Sequence, residues 1–247
     1  DSIDIALGNI IGSNIANILL ILGVVSIINP IIFSKKEGQK NQTLMVLGIT
    51  IIAASIFYFL SNNKNSNPII FGIILVVIFF MFLILQYKME LADQSNESTS
   101  SNYSQYFSYL LLIIGLFFLY FGSKYFIIGS HKLAISYNIS ESIIGLTLVA
   151  FGTSLPELAT GIVAALRKQS SLAVGTILGS NVYNIVGIFA LILFMKSEQF
   201  PMGSEILMTN IIIMTIITFL FVYKVRFGFK FLNIEAFRLS KNNGILF

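Results

Sequence analysis

The sequence predicts an all-α integral membrane protein: an inverted-repeat bundle of transmembrane helices in which one helix is broken at mid-span. Three observations carry that prediction. Of the 247 residues, 56% are hydrophobic and only 11% are charged, whereas soluble domains are roughly 25% charged. A segment near the start, ALGNIIGSNIANILLI from Ala6, returns as AVGTILGSNVYNIVGI from Ala173. The run Ile143 to Ala165 is long enough to cross a bilayer, yet it holds Gly152, Thr153, Ser154, Pro156 and Glu157 in its middle.

Taken in order, the apolar runs and their polar breaks give seven candidate spans: Ile5 to Ile28, Leu44 to Leu60, Ile69 to Leu85, Phe107 to Ile128, Ile143 to Ala165, Leu172 to Phe194 and Ile206 to Val222. Each approaches the roughly 20 residues that an α-helix needs to cross a hydrocarbon core about 30 Å thick. Pro30, Pro68 and Pro201 fall between spans, so Pro156 is the one proline inside a span. It donates no N–H and its ring clashes with the carbonyl four residues back, which predicts a break near Gly152 to Leu155. Carbonyls freed at membrane depth need a partner, and a bound cation is one that can serve.

Glu157 supplies a matching charge. The other acids (Asp1, Asp4, Glu37, Glu90, Asp93, Glu97, Glu141, Glu198, Glu205 and Glu235) lie in or beside connections or near a chain end. An ionisable residue alone in mid-span marks a functional site.

The connection from Glu90 to Gln105 is polar and low in complexity, with DQSNESTSSNYSQ at its centre. It reads as a flexible linker. The chain then divides into residues 1–89, the linker 90–105, and a second half, 106–247. Lys35, Lys36, Lys40, Lys88, Arg167, Lys168, Lys224, Arg226, Lys230, Arg238 and Lys241 fall on one side of the predicted membrane, and only Lys64, Lys132 and Lys196 on the other. The richer side, which includes the linker, is therefore expected to be cytoplasmic. Lys124, near the outer end of its span, can snorkel to the interface. Dispersed over short connections, these cations do not form a nucleic-acid patch.

The repeat reverses direction. Its first copy lies in the first span and its second in the sixth, and an odd number of steps inverts the sense of crossing. That is the inverted-topology arrangement of secondary transporters, whose sites form at the midplane where the repeats meet. In both copies a Ser and an Asn stand four residues apart, Ser13 with Asn17 and Ser180 with Asn184, so each pair shares a helix face. Their oxygens can replace part of an ion's hydration shell. Gly8 with Gly12, and Gly175 with Gly179, form GxxxG pairs expected to let another backbone approach closely.

Other chemistries lack parts. There is no cysteine, and the single histidine, His131, lies in a polar connection, so a zinc site is not available. An intramembrane hydrolase built on Ser154 and Glu157 has no base within reach and no second acid at its depth. A channel or a structural membrane protein is a weaker reading, since one acid can line a pore, and saturable counter-transport separates these from a transporter.

FGTSLPELATG, followed by GTILGSNVYNIVG, resembles the second α-repeat of the cation/calcium antiporter superfamily, most closely the prokaryotic sodium/calcium exchangers. GNIIGSNIANILLILG is similar to the second half of the first α-repeat. The resemblance covers nearly the whole chain, as spans three to nine of ten, with α-repeat 2 at about 140–195. It implies a fragment, whose last residues, Asn242 to Phe247, begin a further span. It also implies a multi-pass protein of the cell's inner (plasma) membrane that exchanges calcium for sodium by alternating access, two sliding spans moving around a fixed core. The implied partners are calcium and sodium ions and the lipid bilayer, with no cofactor and no enzymatic activity.

Carried over position by position, the resemblance implies Glu157 as the principal carboxylate, Ser154 and Thr153 as hydroxyl ligands, and the Ala150 carbonyl as a sodium ligand. It adds Ser180 and Asn184 from one copy, and Ser13 and Asn17 from the other. Calcium-transporting members often have Asp where this chain has Asn184. With Asn17 and Asn184 both neutral, Glu157 is the one formal charge among these positions, and a proton- or other monovalent-cation-coupled exchanger remains the alternative.

Overall fold

A computed structural model describes residues 2–29, 31, 37–63, 66–93, 105–138, 147, 149–195 and 205–227, and every regular element among them is helical. The first span is continuous but not uniform: α1 (Ser2–Ala16), a π turn (Asn17–Ile21) and α2 (Leu22–Ile28). Next come α3 (Glu37–Asn62), α4 (Pro68–Asp93) and α5 (Gln105–Ser136). The broken span gives α6 (Ala150–Thr153) and α7 (Leu155–Leu166). The sixth span again has three parts, α8 (Ser170–Val182), a second π turn (Tyr183–Ile188) and α9 (Phe189–Met195), and α10 (Glu205–Phe227) follows.

Six described helices are long and apolar enough to cross a membrane, and the broken one supplies the shorter apolar helix Leu155–Leu166. The seven sequence runs thus appear as six long helices and one interrupted helix. Most of the linker, and residues 228–247, lie outside the described residues.

The spans that carry the repeat form the centre. Ile10, Ile11, Ile21 and Val25 of the first span and Ile177, Leu178, Val182 and Ile185 of the sixth join one buried cluster. Around it α3 packs on α10, α4 on α9, and α7 lies against both α2 and α8. The outward faces are apolar as well, with Phe80, Phe118, Ile27 and Leu220 exposed. Water would not tolerate so much uncovered apolar surface, whereas in lipid it is ordinary solvent contact. Packing between such helices rests on close fit rather than on exclusion of water.

The close fit is not at the second GxxxG pair, Gly175 with Gly179. No atom among the described residues outside the helix's own turns lies within 4 Å of a Cβ built on Gly175 or Gly179. The tight approaches are at other glycines. A Cβ on Gly161 would stand 3.0 Å from Val25 Cγ2, with Ile21 and Ile177 side chains just beyond, and one on Gly152 would meet Phe126 and Ile127 of α5 at under 3 Å. Gly161 therefore sets how near α7 can come to both repeat helices. Gly161→Leu is expected to cost about 1–3 kcal/mol of stability through overpacking, seen as a lower midpoint of thermal unfolding in detergent; an unchanged midpoint would show that this crossing is loosely packed.

A tight turn joins α7 to α8. Gln169 N–H donates to Ala164 O at 2.8 Å and Lys168 N–H to Ala165 O at 2.9 Å, with Lys168 at φ 61°. This is a Schellman ending, which satisfies the last carbonyls of α7 and reverses the chain. The resulting hairpin lays α7 antiparallel to α8 and so places Glu157 opposite Ser180.

Candidate functional site

The break falls at Ser154, inside the expected stretch. Its backbone (φ −91°, ψ 1°) leaves the helical region between α6 and α7. Pro156 sits in the first turn of α7, where its missing N–H does no harm. Ser154 N–H closes the short helix on the Ala150 and Phe151 carbonyls, both at 3.1 Å, and Ser154 O accepts from Leu158 N–H at 3.0 Å. One residue thus ends one half-helix and starts the next.

Two polar groupings flank the break. In the first, Thr153 Oγ1 donates to Asn9 Oδ1 at 2.9 Å or to Ala150 O at 3.1 Å. Ser13 Oγ lies 3.1 Å from Thr153 Oγ1, 3.3 Å from Asn9 Oδ1 and 3.4 Å from Ala150 O. Ala150, Ser13 and Ser154 are buried. In the second grouping Ser180 Oγ donates to Glu157 Oε1 at 2.6 Å, a short, charge-assisted bond across the α7–α8 hairpin.

Between the repeats lies a third set of bonds. Asn17 Nδ2 donates to Asn181 Oδ1 at 2.8 Å, and Asn181 Nδ2 to Asn14 O at 3.4 Å. Asn14 turns its own amide onto Ile10 O at 2.7 Å. All three asparagines are almost fully buried.

What these bonds leave over is informative. Glu157 Oε2, Asn17 Oδ1 and Asn14 Oδ1 are buried acceptors without a hydrogen-bond partner among the described residues. Such an atom costs about 1–3 kcal/mol, more when charged, and native proteins keep few of them. Every one is an oxygen, which is what a hard cation needs as a ligand. Among the described residues no three His, Cys, Asp or Glu side chains cluster. A cation held here would rest on one carboxylate and otherwise on neutral oxygens.

Of the eight positions expected from sequence, Ser13, Ala150 and Thr153 converge in the first grouping, and Glu157 and Ser180 in the second. Asn17 reaches the crossing, and Ser154 forms the break. Asn184 is half-buried, and its side chain makes no hydrogen bond to a described residue.

Asn9, Asn14 and Asn181 are participants that the sequence reading did not single out. Asn9 had a signal, since it stands four residues before Ser13 and extends the Ser13/Asn17 stripe by one turn.

A π turn in each of the spans that carry the repeat was also unforeseen, and these two occupy repeat-equivalent places. Leu22 N–H bonds to Asn17 O and Phe189 N–H to Asn184 O, each spanning five residues. Both therefore begin their wider turn at the Asn of the SNxxN motif. Single π turns in α-helices are frequently found at functional sites, where they re-aim a side chain.

The sodium/calcium exchanger protein family matches residues 1–88 and 107–247. The chain belongs to the sodium/calcium exchanger family. It is 38% identical over 218 residues to an uncharacterized membrane protein of Methanocaldococcus jannaschii, covering 88% of this chain and 68% of that one. It is 31% identical over 195 residues to the inner membrane protein YrbG of Escherichia coli, covering 76% of this chain and 59% of that relative. With the sodium/calcium exchanger MaX1 of Methanosarcina acetivorans it shares 46% over 94 residues, or 37% of this chain and 27% of that one.

A solved structure of the sodium-calcium exchanger NCX_Mj superposes with a TM-score of 0.68 at 33% identity, covering 91% of this chain and 69% of that one. The chain thus spans between 59% and 69% of the length of the relatives it follows over most of its own length. Family and fold agree: this sodium/calcium exchanger family member is an all-helical, multi-pass membrane protein of the cation/calcium exchanger kind, a transporter and not an enzyme.

Proposed function

We propose that the protein is a secondary antiporter that exchanges Ca2+ for Na+ by alternating access, with Glu157 as the shared carboxylate. The observation that carries this reading is Glu157 Oε2, a buried carboxylate oxygen with no hydrogen-bond partner among the described residues, on the half-helix that follows the break. Ser154, Ser180, Asn17 and Asn184 supply neutral oxygens around it. Ser13, Thr153 and the Ala150 carbonyl form a second, uncharged set. Ions of similar size and different charge would compete for these oxygens, and occupancy by one or the other would bias the rearrangement that opens the opposite face. The two halves, 1–89 and 106–247, contribute one repeat copy each, and the 90–105 linker joins them on the cytoplasmic side.

The neutral side chain of Asn184 favours a second reading, a proton- or other monovalent-cation-coupled cation exchanger. Labelled calcium uptake into vesicles loaded with sodium, compared at fixed pH with vesicles loaded with potassium or choline, decides between them. The antiporter reading expects uptake at least tenfold above the potassium and choline controls. Equal uptake in all three overturns it, and uptake that follows an imposed pH gradient supports the alternative.

A further inference from the structure

We infer that Asn9 is a positioning residue for the coupling ion, taking the hydroxyl protons of Ser13 and Thr153 so that their oxygens and the Ala150 carbonyl face a monovalent cation. The inference rests on the exchange reading above and adds to it a residue that touches no carboxylate.

The argument starts from proton counting. Ser13 and Thr153 have one hydroxyl proton each, and three acceptors lie within reach: Asn9 Oδ1, Ala150 O and the other hydroxyl. A cation on Ala150 O repels any proton aimed at that carbonyl. A hydroxyl that is itself a ligand must also turn its proton away from the ion. Asn9 Oδ1 is then the one acceptor in the grouping that is not an ion ligand. An amide oxygen has two lone pairs and can accept both protons, and it already stands 2.9 Å from Thr153 Oγ1 and 3.3 Å from Ser13 Oγ.

Charge decides which ion is involved. The acceptors and hydroxyls of this grouping are all neutral, whereas Glu157 is bonded to Ser180 in the other. Affinity for a divalent ion scales with the number of charged ligands, so the neutral set suits the ion of lower charge. The repeat points the same way. The position equivalent to Asn9 in the second copy is Thr176, so the amide is not part of the scaffold common to both copies.

The test is sodium-driven uptake of labelled calcium in vesicles reconstituted from the complete reading frame, with sodium and calcium concentrations varied separately. Asn9→Leu keeps the branched shape and removes the acceptor; Asn9→Asp keeps an acceptor oxygen. Asn9→Leu is expected to raise the half-saturating sodium concentration about fivefold, the effect of losing one net hydrogen bond, and to leave that for calcium within about twofold. Asn9→Asp keeps the acceptor and adds a charge that attracts cations, so its sodium value is expected at the wild-type level or below it.

Calcium-for-calcium self-exchange, which needs no sodium, reports whether Asn9→Leu is folded. If that variant does not fold, Asn9→Ala, which also lacks an acceptor, takes its place with the same expectations. Sodium and calcium values that move together, or an Asn9→Asp protein that behaves like Asn9→Leu, overturn the assignment of Asn9. Sodium-dependent wild-type uptake with an unshifted Asn9→Leu overturns that assignment alone, whereas wild-type uptake indifferent to sodium overturns the exchange reading as well.

Discussion

Glu157→Gln is expected to reduce calcium transport by at least a hundredfold, to the background of empty vesicles, while the protein still folds. Glutamine has nearly the same shape and keeps an oxygen to accept from Ser180 Oγ, which now lies 2.6 Å from Oε1. What disappears is the charge at Oε2, the atom left without a partner among the described residues. Two unit charges 4 Å apart at an effective dielectric of 20 attract by about 4 kcal/mol, and a divalent ion doubles the figure. Even after offsets from dehydration, a loss on the order of 3 kcal/mol suffices for a hundredfold effect. The amide also points an N–H where a cation should sit.

Folding has no reason to suffer, because an uncompensated buried charge is itself unfavourable. Thermal unfolding without calcium is therefore expected at the wild-type midpoint or above it. Sodium-driven calcium uptake that survives the substitution would remove Glu157 from the ion pathway.

The reverse experiment adds a charge. Asn184→Asp is expected to lower the half-saturating calcium concentration at least tenfold and to slow turnover, since an ion held by two carboxylates leaves less readily. Asn184 suits the test because its side chain has no hydrogen bond to a described residue to lose. Its repeat counterpart Asn17 is a useful contrast. Asn17 Nδ2 donates to Asn181 Oδ1 at 2.8 Å, so an Asp there would set two acceptors against each other between the repeats. A comparable gain of calcium affinity from Asn17→Asp is not expected. Calcium titration of the purified protein by calorimetry measures both, and an unchanged affinity in Asn184→Asp would mean that position 184 does not face the ion.

Much of this architecture is legible in the residues. Membrane spans announce themselves by length and hydropathy, and the run from Leu172 to Phe194 corresponds to a helix over Leu172–Met195. Proline lacks an N–H wherever it stands, so Pro156 located the break at Ser154 within a residue or two. The four-residue spacing of Ser13 with Asn17 and of Ser180 with Asn184 puts each pair on one helix face from the sequence alone.

Other features left no such mark. A GxxxG pair says that a face is small but not what covers it, and Gly175 and Gly179 have no described atom outside their own helix close against them. Which rotamer an asparagine takes depends on neighbours brought in from the other copy, so the roles of Asn14 and Asn181 emerged only from the crossing. The π turns have no residue signature of their own, since a widened turn is decided by how the whole helix settles against its neighbours.

Those widened turns bear on ancestry. Each holds one residue more than the plain helical ladder would fit in that place, the trace expected of a single-residue insertion. Losing that residue would restore the ladder without shortening the span, so the extra residue is not required for crossing the membrane. Both copies nonetheless contain it, ending at Ile21 in one and at Ile188 in the other, the same place when the copies are aligned. The simplest history puts the insertion before the duplication: a single ancestral unit already had the widened turn beside its asparagine, and doubling produced two facing copies of a feature that was older than the pair.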